Sequence, residues 1–177
     1  MQPEVLVAYV TRSGSTGEVA EAVAKTMCEA GVAATAVSMD EVTSIPEGAS
    51  LVLGAALYAG HLPKEFHSFV VRFQRELGQV KPWVFVLGPT EKNRKQFASA
   101  EEQARKQLAK YPWLHTADVR VLGGKFDPQH LKLAFPFSLA FKLPANPMRK
   151  MPASDIRDWE WIRAWARAIA EHLNAVV

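Results

Sequence analysis

At 177 residues, with 49% hydrophobic and 22% charged side chains, the chain is long enough to bury one full core and too apolar to be wholly disordered. Its formal net charge is +3 at pH 7, without a run of arginine and lysine interleaved with aromatics; this argues against nucleic acid and for an anionic substrate or surface. The single cysteine, Cys28, can form no internal disulfide and has no companion ligands for a metal.

The opening MQPEVLVAYV has no basic leader before its apolar run. It is therefore expected to be a buried strand and not a signal peptide, in a protein that stays in the cytoplasm. Residues 5–10 are continuously apolar, the pattern of a parallel strand covered on both faces. The run breaks at Thr11-Arg12-Ser13-Gly14-Ser15-Thr16-Gly17. From Val19 the apolar positions Val19, Ala20, Val23, Ala24, Met27 and Ala30 fall on one face of a helix, with Gly31 in the place of a C-terminal cap. Cys28, beside that stripe, reads as packing. The hydroxyls of Thr11, Ser13, Ser15 and Thr16 thus lie between the carboxyl end of a strand and the amino end of a helix. Unpaired backbone N–H groups and the positive end of the helix dipole favour an anion there, and short hydroxyls donate to phosphate oxygens. Gly14 lets the backbone approach closely and Gly17 eases entry into the helix. The spacing fits neither the three-glycine dinucleotide fingerprint nor the P-loop, which needs a lysine after its last glycine. An ordinary polar turn capped by Ser or Thr shares the composition; the density of hydroxyls favours phosphate.

A second strand is expected over 32–37, a turn at Pro46 and Gly48, and a third strand over 51–57. The third run ends in Ala56-Leu57-Tyr58-Ala59-Gly60-His61, where small residues let backbone groups face a flat ring edge and Tyr58 can stack on its face. Pro63 opens a helix with apolar positions Phe66, Phe69, Val70, Phe73 and Leu77, and Gly78 as its cap. Residues 83–87 form a fourth strand, followed by Gly88-Pro89-Thr90-Glu91 and then the positive charge of Lys92, Arg94 and Lys95. Ser99 with Glu102 reads as a capping box for a short helix to about Lys110, and 119–122 is the fifth strand. Five alternating units predict a doubly wound parallel α/β sheet with ligands at the carboxyl ends, where the winding reverses.

Residues 125–150 carry Leu131, Leu133, Phe135, Phe137, Leu139, Phe141 and Leu143, broken by Pro128, Pro136 and Pro144. Lys125, Lys132, Lys142, Arg149 and Lys150 surround them. The apolar part is shorter than the ~20 residues that span a bilayer, and Pro136 would interrupt a spanning helix. Three roles stay open: an element lying on anionic headgroups, a cover for a pocket holding a flat apolar anion, or ordinary core. Ser154 is expected to cap a last helix, with Asp155 and Asp158 in its first turn. One face carries Ile156, Trp159, Ile162, Ala166, Ile169, Ala170 and Leu173, extended by Trp161 and Trp165.

The order Thr11-Arg12-Ser13-Gly14-Ser15-Thr16 resembles the flavodoxin phosphate loop, hydroxyl-x-hydroxyl-Gly-x-Thr. With Gly124-Lys125-Phe126-Asp127, the insertion after it and the terminal Asp158-Trp159 helix, the chain is similar to the flavodoxin-domain group that includes the menaquinone-dependent protoporphyrinogen dehydrogenases. The resemblance implies a single flavodoxin-like domain over 1–177, strand order 2-1-3-4-5, with a late aromatic-basic insertion at about 125–150. It implies FMN held by Thr11, Arg12, Ser13, Gly14, Ser15 and Thr16, by Ala56, Leu57, Tyr58, Ala59 and Gly60, and by Pro89, Thr90 and Glu91. It further implies an FMN-dependent oxidoreductase of heme biosynthesis, passing electrons from protoporphyrinogen or a similar flat anionic donor to a quinone, peripheral at the inner face of the membrane. A flavodoxin-type electron carrier is the alternative, although such carriers are usually strongly acidic and this chain is mildly basic. A flavin-free binding module is a third reading. No catalytic acid or base is assigned; His61 and His130 are candidates by position alone.

Overall fold

Apolar runs without a polar face can be satisfied only between two layers, and in this chain they become the centre of a parallel sheet. The computed structural model describes residues 4–128 and 152–176. Its sheet is built from β1 (Glu4–Tyr9), β2 (Ala33–Ser38), β3 (Ser50–Ala56), β4 (Trp83–Leu87) and β5 (Asp118–Leu122). The order is β2-β1-β3-β4-β5 with every pairing parallel, as expected. The winding reverses at β1, which has β2 on one side and β3 on the other.

Helices cover both faces. On one side α1 (Ser15–Glu29) and α5 (Trp159–Val176) pack Val19, Val23, Met27, Ile162, Trp165 and Ile169 against Val7, Val52 and Phe85. On the other, α2 (Lys64–Arg72), α3 (Gln74–Leu77) and α4 (Arg94–Leu108) pack Phe66, Phe69, Leu77 and Leu108 against Leu51, Leu53, Val84 and Val86. Adjacent strand residues thus feed opposite layers, each buried by its own helices.

Several local expectations are corrected. The helix expected from Pro63 to Gly78 is in two pieces, α2 and α3, that meet at Phe73. The helix before β5 starts at Arg94, earlier than the Ser99 capping box suggested. Asn93 is its cap, its Oδ1 accepting from the N–H groups of Lys95 and Gln96 at 3.0 and 3.3 Å. Ser99 lies inside that helix, where its hydroxyl accepts from Gln103 Nε2. The last helix begins at Trp159, not after Ser154; Asp158 Oδ1 accepts from the Trp161 N–H at 2.9 Å. Ser154–Asp155 is instead strand β7, antiparallel to β6 (Lys125–Phe126). Cys28 is exposed, its Sγ 3.3 Å from the carbonyl of Ala34, so it is not core packing. Among the described residues no helix is long and apolar enough to cross a membrane.

His67, in α2, lies 2.6 Å through Nδ1 from the Tyr111 hydroxyl. Burial, and secondarily the Lys110 cation, push its pKa below the usual imidazole value. The unfolded chain therefore takes up this proton first, and stability falls as pH drops below ~6.5, until the lower folded value is reached. Urea midpoints at pH 7.5 and pH 5.5 should differ less in His67→Phe than in the unaltered protein; an equal difference would assign the dependence to other groups.

Candidate cofactor site

Three loops leave the carboxyl ends of β1, β3 and β4. In the first, Thr11 Oγ1 accepts from the Gly14 N–H at 2.9 Å and closes a tight turn before α1. Gly14 is the N-cap at φ 89°, a left-handed conformation that glycine adopts without steric cost. Thr16, the second residue of the helix, is 0% exposed, and its hydroxyl has no hydrogen-bond partner among the described residues. An orphaned buried hydroxyl costs about 1–3 kcal/mol, so its place at a helix amino end suits an anionic ligand that supplies the missing bond. Gly17 serves packing: a Cβ there would lie 3.1 Å from the Tyr9 ring.

In the second loop Tyr58 and His61 exchange both backbone hydrogen bonds, at 2.9 and 3.0 Å. Between them Ala59 and Gly60 have φ of 48° and 81°. This is the mirrored two-residue turn of β-hairpins, and an alanine held there stores about 1–2 kcal/mol of strain. The Arg12 guanidinium sits 4.4 Å from the centre of the Tyr58 ring and ties the first loop to the second. Burial raises the Tyr58 phenol pKa, and the Arg12 charge partly offsets it. Arg12 thus occupies a face of the ring that the sequence offers for stacking.

The third loop, at Gly88, Pro89, Thr90 and Glu91, is pressed against the end of β5. The Gly124 N–H donates to the Pro89 carbonyl at 2.7 Å, and a Cβ on Gly124 would come within 2.7 Å of the Gly88 carbonyl oxygen. Lys92, Arg94 and Lys95 follow, all exposed. His61 is exposed, with Nδ1 3.4 Å from Gln107 Nε2. Among the described residues no group of three His, Cys, Asp or Glu could hold a metal.

Lys125 opposes Asp155, and Phe126 opposes Ser154, in the β6–β7 pair. The flanks 125–126 and 154–155 therefore meet beside the third loop. His130, Leu131 to Leu143, Pro136, Pro144, Lys132, Lys142, Arg149 and Lys150 lie outside the described residues. Sequence reasoning missed Arg157, whose side chain is 2% exposed. It bonds both carboxylate oxygens of Asp155, at 2.9 and 2.6 Å, and reaches across to Glu18 Oε2 at 2.7 Å and the Ser15 carbonyl at 3.1 Å in the first turn of α1. Hydrogen bonds from Arg157 hold the Asp155 carboxyl below the usual carboxylate range. The one signal was an arginine between aspartates in Asp155-Ile156-Arg157-Asp158. Next to this cluster lies a cavity of about 570 Å³, lined by Lys92, Phe97, Gly123, Ile156, Trp159 and Trp161 among others.

The flavodoxin domain family matches residues 6–135. The fold is similar to the flavodoxin of Streptococcus pneumoniae TIGR4, at 16% identity and TM-score 0.52, over 98% of this chain and 99% of that one. A mutant flavodoxin from Pseudomonas aeruginosa is similar at 17% identity and TM-score 0.56, over 97% and 99%. The rubredoxin oxygen:oxidoreductase of Desulfovibrio gigas is similar at 11% identity and TM-score 0.56, over 98% of this chain but 37% of that one. No curated protein matches the chain in sequence. Flavodoxin domains carry FMN. The residues present suit it: a buried hydroxyl with no partner among the described residues, at a helix start whose first N–H groups have no intrahelical acceptor, for the phosphate, and Tyr58 in the neighbouring loop for a flat ring.

Proposed function

The chain belongs to the flavodoxin domain family, and on that premise we propose that residues 1–177 form one FMN-dependent redox domain whose site is made by the three loops. Thr11, Arg12, Ser13, Gly14, Ser15 and Thr16 hold the phosphate. Ala56, Leu57, Tyr58, Ala59 and Gly60 on one side, with Pro89, Thr90 and Glu91 on the other, hold the ring. The observation that carries this reading is the buried Thr16 hydroxyl at the start of α1, which has no partner among the described residues. The bound cofactor supplies electron transfer.

The finer reading concerns the donor. The cavity beside the third loop has aromatic walls in Phe97, Trp159 and Trp161, which suit a flat apolar molecule; its charged lining is mixed, Asp155 and Asp158 with Arg157 and Lys92, and Lys92 is the cation there that could meet a carboxylate at the molecule's rim. A porphyrinogen has that chemistry. In the overall reaction each pair of hydrogens lost by the donor converts one quinone to a quinol, so electrons and protons balance. The insertion at about 125–150, whose flanks meet at β6 and β7, would bring this face to an anionic membrane that holds the quinone.

The test is anaerobic. FMN-loaded protein is mixed with protoporphyrinogen and a menaquinone analogue in anionic vesicles, and porphyrin fluorescence is followed. The rate should exceed the uncatalysed one, be lower with neutral vesicles, and fall roughly tenfold in kcat/KM for Lys92→Glu, which sets like charges together. No porphyrin above background, with ready electron exchange with a flavodoxin reductase, would make the protein a carrier instead.

A further inference from the structure

We propose that Arg157 is a positioning residue for the cofactor phosphate, fixing the first turn of α1 from behind through the Ser15 carbonyl and the Glu18 carboxylate. The inference rests on the FMN reading above, but its evidence is separate. A guanidinium with a 2% exposed side chain needs partners for its donors, and here four hydrogen bonds, at least one from each of its three nitrogens, go to Asp155, to Glu18 and to a main-chain oxygen at the start of α1. The Trp159 ring lies 4.6 Å from its carbon and covers one face. Asp155 grips the guanidinium by two oxygens and sets its angle, so the bonds to Ser15 and Glu18 have little freedom.

Charge explains why the loop needs such a partner. Glu18 stands in the first turn of α1, where a carboxylate competes with a phosphate for the same helix dipole and repels it. Arg157 draws Glu18 Oε2 to 2.7 Å, and Lys125 holds its other oxygen at 3.5 Å. Those two cations offset the carboxylates of Glu18 and Asp155, leaving the N–H groups of the turn to a phosphate. Thr16, whose orphaned hydroxyl sits one residue after Ser15, is held by the turn that Arg157 braces. The arrangement also joins the phosphate loop to β6 and β7, so the two ends of the insertion and the cofactor site share one set of ion pairs.

A brace acting through the phosphate loop predicts selectivity between two flavins that differ only in the phosphate. FMN and riboflavin affinities are measured by quenching of flavin fluorescence with the FMN-free protein. Arg157→Gln should weaken FMN binding about tenfold, the scale of a charge at a helix terminus, and leave riboflavin within about twofold. Arg157→Lys, which keeps the charge but loses the fork, should fall between. Equal loss for both flavins, or no loss in a folded variant, overturns the proposal; so does failure of both variants to fold, which would make Arg157 a residue of the fold alone. If the unaltered protein binds no FMN, the cofactor reading itself has failed, a different outcome from an unchanged ratio.

Discussion

Thr16→Val is expected to weaken FMN binding by roughly 10- to 150-fold, the worth of one hydrogen bond to a charged group, about 1.5–3 kcal/mol. The FMN-free protein should be no less stable for it. The two effects separate because the Thr16 hydroxyl is fully buried with no partner among the described residues. Removing it relieves a desolvation cost of about 1–3 kcal/mol, while the methyl that replaces it keeps most of the packing volume. Thermal melts of the two FMN-free proteins, then of both with saturating FMN, check both signs. A variant that melts lower without FMN would mean that the hydroxyl has a protein partner in solution, and the phosphate assignment would lose its support.

The strands were legible because β1, β3 and β4 are apolar on both faces, and only a parallel sheet between two helical layers buries such segments. The turn between β1 and α1 was legible because its chemistry is local: Thr11 Oγ1 accepts from the Gly14 N–H, and Gly14 caps the helix. The starts of α4 and α5 were not, since Ser99 and Ser154 meet the capping pattern as well as Asn93 and Asp158 do, and the choice falls to tertiary contacts. Asp155 is taken by Arg157 before a helix can use it. The reach of Arg157 into the first loop was invisible because its partner Glu18 is 139 positions away; the neighbouring Asp155 gave a local signal of an ion pair but none of its burial. The Arg12–Tyr58 contact joins two loops from different strands and is hidden for the same reason.

Gly54 shows how a small residue can set the site through the core. It lies opposite Phe85 in the β3–β4 register, and a Cβ on it would come 2.2 Å from Phe85 Cζ. The ring fills the space that glycine leaves and meets Trp165 edge-on, with centroids 6.2 Å apart. Phe85→Ala should therefore cost about 3–5 kcal/mol by opening a cavity. Gly54→Ala should cost about 1–3 kcal/mol by overpacking the same space. Gly54→Ala combined with Phe85→Leu should cost less than the sum of Gly54→Ala and Phe85→Leu, each measured alone, with a coupling of about 0.5–3 kcal/mol from urea unfolding. Strict additivity would mean that the ring moves aside freely and the contact does not hold the strands. The cofactor site should feel these changes. Just beyond this pair the Leu57 N–H donates to the Leu87 carbonyl at 2.9 Å, joining the ends of β3 and β4 from which the second and third loops spring. Strands forced apart at Gly54 would loosen that bond and spread the loops on either side of the ring. Riboflavin and FMN should then lose affinity together, in contrast to the phosphate-selective loss expected at Thr16 and Arg157.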